Sequence, residues 1–294
     1  MTSANREYRD RLFTFIFGNA EHREWTLELY NAVNDTSYDD PSDITITTIR
    51  EVLYLGMHND VSFLLAGEMN LYEQQSTYNP NMPLRMLQYA GSMYEQTIKR
   101  RRLNKYGRTL ITLPVPKLVV FYNGQDDMPA ESTLRLSDAF SQDRDADIEV
   151  RVRMININRG KDASLESRCH PLREYAWTVE RIRENMMHMD SLRAIDEALE
   201  AMPEGFVIKP FLMAHKAEVR DMLLTEYNEA EAMELFREEG REQGREEGRE
   251  QGRAEAVAAS IRSLMGSLGC TAERAMELLS VPESERPRYL EALA

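Results

Sequence analysis

Asp60, Glu73 and Gln75 are spaced so that a single β-hairpin gathers them at one end. Two β-prone runs, Val61 to Leu65 and Met69 to Tyr72, flank Ala66-Gly67-Glu68, a turn signal. A turn at Gly67-Glu68 sets Asp60 opposite Gln75, and a turn at Ala66-Gly67 sets it opposite Glu73. Side chains alternate along a strand, so Glu73 and Gln75 share one face in either register. Two carboxylates held that close repel unless a cation lies between them. Mg²⁺ is typically held by one or two carboxylates while keeping several waters, one of which it can activate for attack. The alternative is an ordinary hairpin whose acids face water.

The words around this hairpin carry a resemblance. Asn59-Asp60 followed by Glu73-Gln74-Gln75 resembles the PD-(D/E)XK nuclease signature. Arg9-Asp10-Arg11-Leu12-Phe13, Leu29-Tyr30-Asn31-Ala32, Asn59-Asp60-Val61-Ser62-Phe63 and Glu73-Gln74-Gln75-Ser76-Thr77 resemble words of the Rpn family. So do Asn81-Met82-Pro83-Leu84-Arg85 and Val120-Phe121-Tyr122-Asn123-Gly124. That family comprises recombination-promoting nucleases grouped with transposases, and the likeness spans roughly residues 5 to 145. It implies a restriction-endonuclease-like αβββαβ core, an α/β fold with a mixed central sheet. It also implies a Mg²⁺-dependent (or Mn²⁺-dependent) DNA endonuclease in which Asp60 and Glu73 hold the metal. Asp10, on the first helix, is the best match for an additional acid, with Glu7 next; the alternative is a carboxylate favoured by the helix dipole. Gln75 departs from the superfamily's usual Lys. It lacks the positive charge but can still orient a water by hydrogen bonding. The competing expectation is a catalytically weak or inactive member that binds DNA or protein as an oligomeric platform.

The elements that must position these residues follow from periodicity. Residues 5 to 35 read as helix, broken near Gly18-Asn19, with Trp25, Leu29 and Val33 on one face. Residues 44 to 55 suit a first strand. Pro83 opens a helix over about 83 to 102, whose apolar line Leu84, Leu87, Gly91, Tyr94 and Ile98 is expected to face the core. The neighbouring polar line holds Arg85, Gln88, Ser92, Glu95, Lys99 and Arg102. It runs into residues 99 to 108, which contain six basic residues and no acid: Lys99, Arg100, Arg101, Arg102, Lys105 and Arg108. With Arg85 and Gln88, these are the expected contacts to a DNA backbone. Lys117 to Tyr122 reads as a buried strand with Asn123-Gly124 as its turn, residues 131 to 150 as acidic surface, and Val150 to Ile157 as an edge strand.

The 294-residue chain is 42% hydrophobic, enough for a packed core, and its net charge of −14 argues against a generally basic coat. No apolar run approaches a membrane span and Cys169 and Cys270 match no zinc or redox spacing, so a cytoplasmic protein with free thiols and no membrane partner is expected. The histidines show no metal-ligand spacing. Beyond the nuclease-like domain (1–160) the pattern is helical over 161–236. Residues 237–256 then carry an Arg-Glu-x-Gly repeat, read as helix or linker, and 257–294 a small helical module expected to form a homo-oligomer.

Overall fold

A strand whose side chains are covered on both faces needs a layer of helices on either side, and β3 (Glu68–Gln75) is such a strand, buried from Met69 to Gln75. The computed structural model describes residues 12–47, 60–142, 146–283 and 285–293. Its element order begins α1 (Leu12–Phe17), α2 (Arg23–Asn34), β1 (Thr45–Ile46), β2 (Val61–Leu65), β3 and α3 (Met82–Arg100). It continues through β4 (Val115–Tyr122), β5 (Glu131–Arg135) and β6 (Arg151–Asn156). These strands form a six-stranded mixed sheet in the order β1-β2-β3-β4-β6-β5. The β2–β3 and β5–β6 pairs are antiparallel, whereas β3–β4 and β4–β6 are parallel. The fold is therefore α/β with a mixed central sheet. Asp10 and Glu7 lie outside the described residues, as does the expected strand beyond residue 47.

The two faces hold separate cores. On one, Met69, Leu71, Val120, Tyr122, Val152 and Met154 meet Met82, Met86, Tyr89, Ala90 and Met93 of α3. On the other, Val61, Phe63, Tyr72, Phe121 and Ile155 pack with Phe13, Phe17, Trp25 and Leu29 of the first two helices. Helices α4 (Ala163–Arg168), α5 (His170–Met186), α6 (Ser191–Glu200) and α7 (Lys209–Ala214) join this second core through Leu172, Tyr175, Ile182, Ile195 and Leu212.

Two readings of the sequence are corrected. The buried face of α3 is the Met82–Met86–Tyr89–Met93 line, while Leu84 and Leu87 are 48% and 36% exposed. Both lines have helical spacing, and only the methionine–tyrosine line faces the sheet. The segment Arg151–Asn156 is not an edge strand. It lies between β4 and β5, and the sheet ends at Glu131–Arg135, within the stretch read as acidic surface. Leu134 alone is buried in that edge strand, which leaves it no apolar periodicity to read.

The chain divides into two compact units, Met1–Asn228 and Glu229–Ala294. The Arg-Glu-x-Gly repeat lies in the helix α8 (Lys216–Leu268), and a Cβ built on Gly244, Gly248 or Gly252 meets nothing within 4 Å. In the second unit, Ala258, Ile261, Ala275, Met276, Val281 and Tyr289 form a small core with α9 (Ala272–Leu278) and α10 (Arg286–Leu293).

Gly124, just beyond β4, is required by close approach and not by a positive φ: a Cβ there would sit 2.4 Å from the Ser76 carbonyl oxygen and 2.3 Å from the Tyr122 hydroxyl. Gly124→Ala is expected to destabilise the fold by roughly 1–3 kcal/mol, the usual cost of overpacking. Urea unfolding at the wild-type midpoint would show that the contact relaxes freely.

Candidate functional site

The β2–β3 register decides what Asp60 faces. Leu65 pairs with Glu68 and Val61 with Tyr72, so Ala66-Gly67 is the two-residue turn. Ala66 (φ 51°) and Gly67 (φ 80°) both adopt the left-handed region, the signature of a type I′ turn, which matches the twist of the flanking strands. Continued by one residue, the register sets Asp60 opposite Glu73. Of the two turns weighed from the sequence, the one with facing carboxylates is formed. Asp60 Oδ2 accepts a hydrogen bond from the Gln74 amide at 2.7 Å, which holds the start of β2 to the end of β3.

Glu73 and Gln75 point to the α3 side of the sheet, 3% and 7% exposed. A carboxylate that buried needs a cation, and α3 supplies it: Arg85 Nη2 donates to Glu73 Oε1 at 2.6 Å and to the Tyr89 hydroxyl at 2.8 Å. Arg85 and Tyr89 are one helical turn apart, so both reach the same spot. Burial opposes the Arg85 charge, but the nearby Glu73, Tyr89 and Asp60 outweigh it and hold the guanidinium pKa above its ordinary value. Burial, with Glu73 next, raises the Tyr89 phenol, against the opposing pull of Arg85. The Gln75 amide nitrogen lies 2.8 Å from Met82 Sδ, a weak acceptor that leaves the amide easily redirected.

The site lies at the carboxyl ends of the parallel strands β3, β4 and β6, the place where open α/β sheets bind ligands. The opposite face of those ends is stiffened by polar side chains. Gln74 Nε2 donates to Asn123 Oδ1 at 2.7 Å, Asn123 Nδ2 donates to the Tyr175 hydroxyl at 3.0 Å, and Arg183 donates to the Asn123 carbonyl. Asn158 ties in by donating to Gly124 O and Asn156 Oδ1 at 2.8 and 2.9 Å.

Asp60, Glu73, Gln75 and Arg85 are thus brought together. Arg85, grouped from the sequence with backbone contacts, is the counter-ion of Glu73. Tyr89, Met82 and Asn123 were not assigned to the site from the sequence; the Arg85–Tyr89 spacing of four was the available signal for Tyr89. The remaining basic residues are remote. Arg100 lies fifteen residues along α3 from Arg85, about 22 Å at 1.5 Å per residue. Gln88 is exposed partway along that helix. Lys99 and Lys105 share Glu95, at 3.8 and 2.8 Å, while Arg100, Arg101, Arg102 and Arg108 have no ion-pair partner among the described residues.

Two facing carboxylates and the carbonyl oxygen of a side-chain amide are oxygen donors of the kind a hard divalent ion accepts. Among the described residues no group of three His, Cys, Asp or Glu side chains converges. Comparison of the chain with family models, with curated proteins and with solved structures found no match. No helix among the described residues is long and apolar enough to cross a membrane.

Arg85→Met, which removes the cation from a buried carboxylate, is expected to cost about 2–4 kcal/mol in urea unfolding, with much of it recovered in the double variant with Glu73→Gln. A single variant as stable as wild type would show that Glu73 does not depend on Arg85.

Proposed function

We propose that the chain is a metal-dependent endonuclease of the PD-(D/E)XK type, hydrolysing phosphodiester bonds in DNA, and a member of the Rpn-like nucleases its sequence words resemble. The observation that carries this reading is the register that sets Asp60 opposite Glu73 at the carboxyl ends of parallel strands. In it, Asp60 and Glu73 hold Mg²⁺ or Mn²⁺. When bound, the ion supplies a polarised water and charge neutralisation at the phosphate. Gln75 orients the attacking water by hydrogen bonding, released from its weak contact with Met82. Arg85 reaches past Glu73 to a phosphate oxygen, a geometry suited to a planar guanidinium. Asp10 is the proposed additional acid. The basic residues at the far end of α3 hold the nucleic-acid backbone about 22 Å along the helix from Arg85, and the second compact unit assembles copies of the chain.

Supercoiled plasmid incubated with the purified protein tests this reading. Nicking is expected with Mg²⁺ or Mn²⁺, none with EDTA, and a loss of at least a hundredfold in Asp60→Ala and in Glu73→Ala. Equal cutting by both variants would contradict the assignment of these residues. Tight DNA binding without cleavage under any metal would favour an inactive platform, for which the Gln75 substitution and the Arg85–Glu73 ion pair speak. A chain ending at residue 236 is expected to assemble into fewer copies than the full chain, by native mass divided by chain mass, and an unchanged copy number would remove the oligomer proposal.

A further inference from the structure

The loop between α3 and β4 presents an aromatic ring to solvent among cations. Helix α3 ends with Arg102 in the left-handed region (φ 52°), its amide bonded to Lys99 O at 3.1 Å and the Leu103 amide to Ile98 O at 2.9 Å. This helix stop fixes where the chain leaves α3. Asn104 then makes a tight turn: its Oδ1 accepts from the Tyr106 amide at 3.0 Å and its carbonyl from the Gly107 amide at 3.0 Å. Asn side chains commonly set such turns. Lys105 is tied back to Glu95 at 2.8 Å, with its ammonium 5.7 Å from the Tyr106 ring centroid. The loop is shaped by its own bonds, and those bonds hold Tyr106 outward, 89% exposed, with Leu110 93% exposed beyond it.

An aromatic ring that packs against no core, held by a defined turn, is available for stacking. Its neighbours set the charge of the ligand. Arg100, Arg101 and Arg102 precede it and Arg108 follows it, all exposed and without ion-pair partners among the described residues. A chain of net charge −14 concentrates cations here and no acid between residues 99 and 108. The complement is a polyanion carrying flat faces. In a duplex those faces are stacked inside and closed to a side chain, whereas an unpaired base offers its whole π-surface. We infer that residues 100–110 form a single-stranded nucleic-acid platform, in which Tyr106 stacks an unpaired base and Arg101, Arg102 and Arg108 hold the flanking phosphates. This rests on the nuclease reading for its purpose, since it makes an unpaired strand part of the substrate, but not for its test.

Binding of a fluorescent oligothymidylate to the full chain is measured by anisotropy in EDTA, where no metal-dependent cleavage interferes. Tyr106→Ala is expected to weaken the single strand about tenfold, Tyr106→Phe to restore it, and a duplex of equal length to change less than about twofold. Arg101→Ser with Arg102→Ser is expected to flatten the salt dependence of binding. Unchanged affinity in Tyr106→Ala, equal weakening of strand and duplex, or full displacement of the oligonucleotide by an equal charge of polyglutamate would each overturn the platform. Plasmid nicking scored separately shows whether the nuclease reading fails with it or stands alone.

Discussion

Glu73 is a carboxylate almost wholly withdrawn from bulk water, and the arrangement of the sheet's carboxyl end is built around it. Moving a charge out of water costs several kcal/mol unless a cation and hydrogen bonds replace the solvent. Arg85 supplies that cation, so α3 must dock with its first turns over the end of β3. Met82 and Met86 then fall onto the sheet, Tyr89 comes under the guanidinium, and Leu84 and Leu87 are turned to solvent. The ion pair and the burial of Met82, Met86, Tyr89 and Met93 agree on one rotation of the helix about its axis. A core of the same size could be built more stably from apolar residues alone. Retaining a buried charge at the mouth of parallel strands is the cost that the proposed ligand site would account for.

The same pair bears on the proposed chemistry. Arg85 and a divalent ion are both cations for Glu73, and Asp60 is close enough to act on Arg85 electrostatically. In the proposed nuclease a bound phosphate offers Arg85 a second anion beside Glu73. Gln75 fits this picture as a side chain with a weak present partner. Behind the site, the Gln74–Asn123–Tyr175 bonds keep the strand ends fixed, which is the positioning that a catalytic pair requires.

Much of this was legible in the residues themselves. The β-prone runs Val61–Leu65 and Met69–Tyr72, punctuated by Ala66-Gly67-Glu68, were enough to anticipate the hairpin and the facing of Asp60 with Glu73 or Gln75. Which of the two it faces depended on whether an alanine would accept a positive φ, a tertiary outcome that propensity does not decide. The rotation of α3 was not legible, because Leu84–Leu87 and Met82–Met86–Tyr89 are equally periodic and the choice rests on long-range contacts, the sheet packing and the Arg85–Glu73 pair. The edge strand Glu131–Arg135 was hidden by its polarity, since only Leu134 enters the core. Asn123 read as a turn residue, and its place in a buried polar chain needed Tyr175, fifty-two residues away, to be seen.

The central claim is that Asp60 and Glu73 form one site for a divalent ion. Titration of Mn²⁺ into the full chain, followed by the loss of the free-ion electron paramagnetic resonance signal, addresses it without requiring turnover. The account predicts saturable binding near one ion per chain that is lost in both Asp60→Asn and Glu73→Gln while their folds persist by circular dichroism. Binding that is absent in the wild type, or equally tight in both variants, would contradict it.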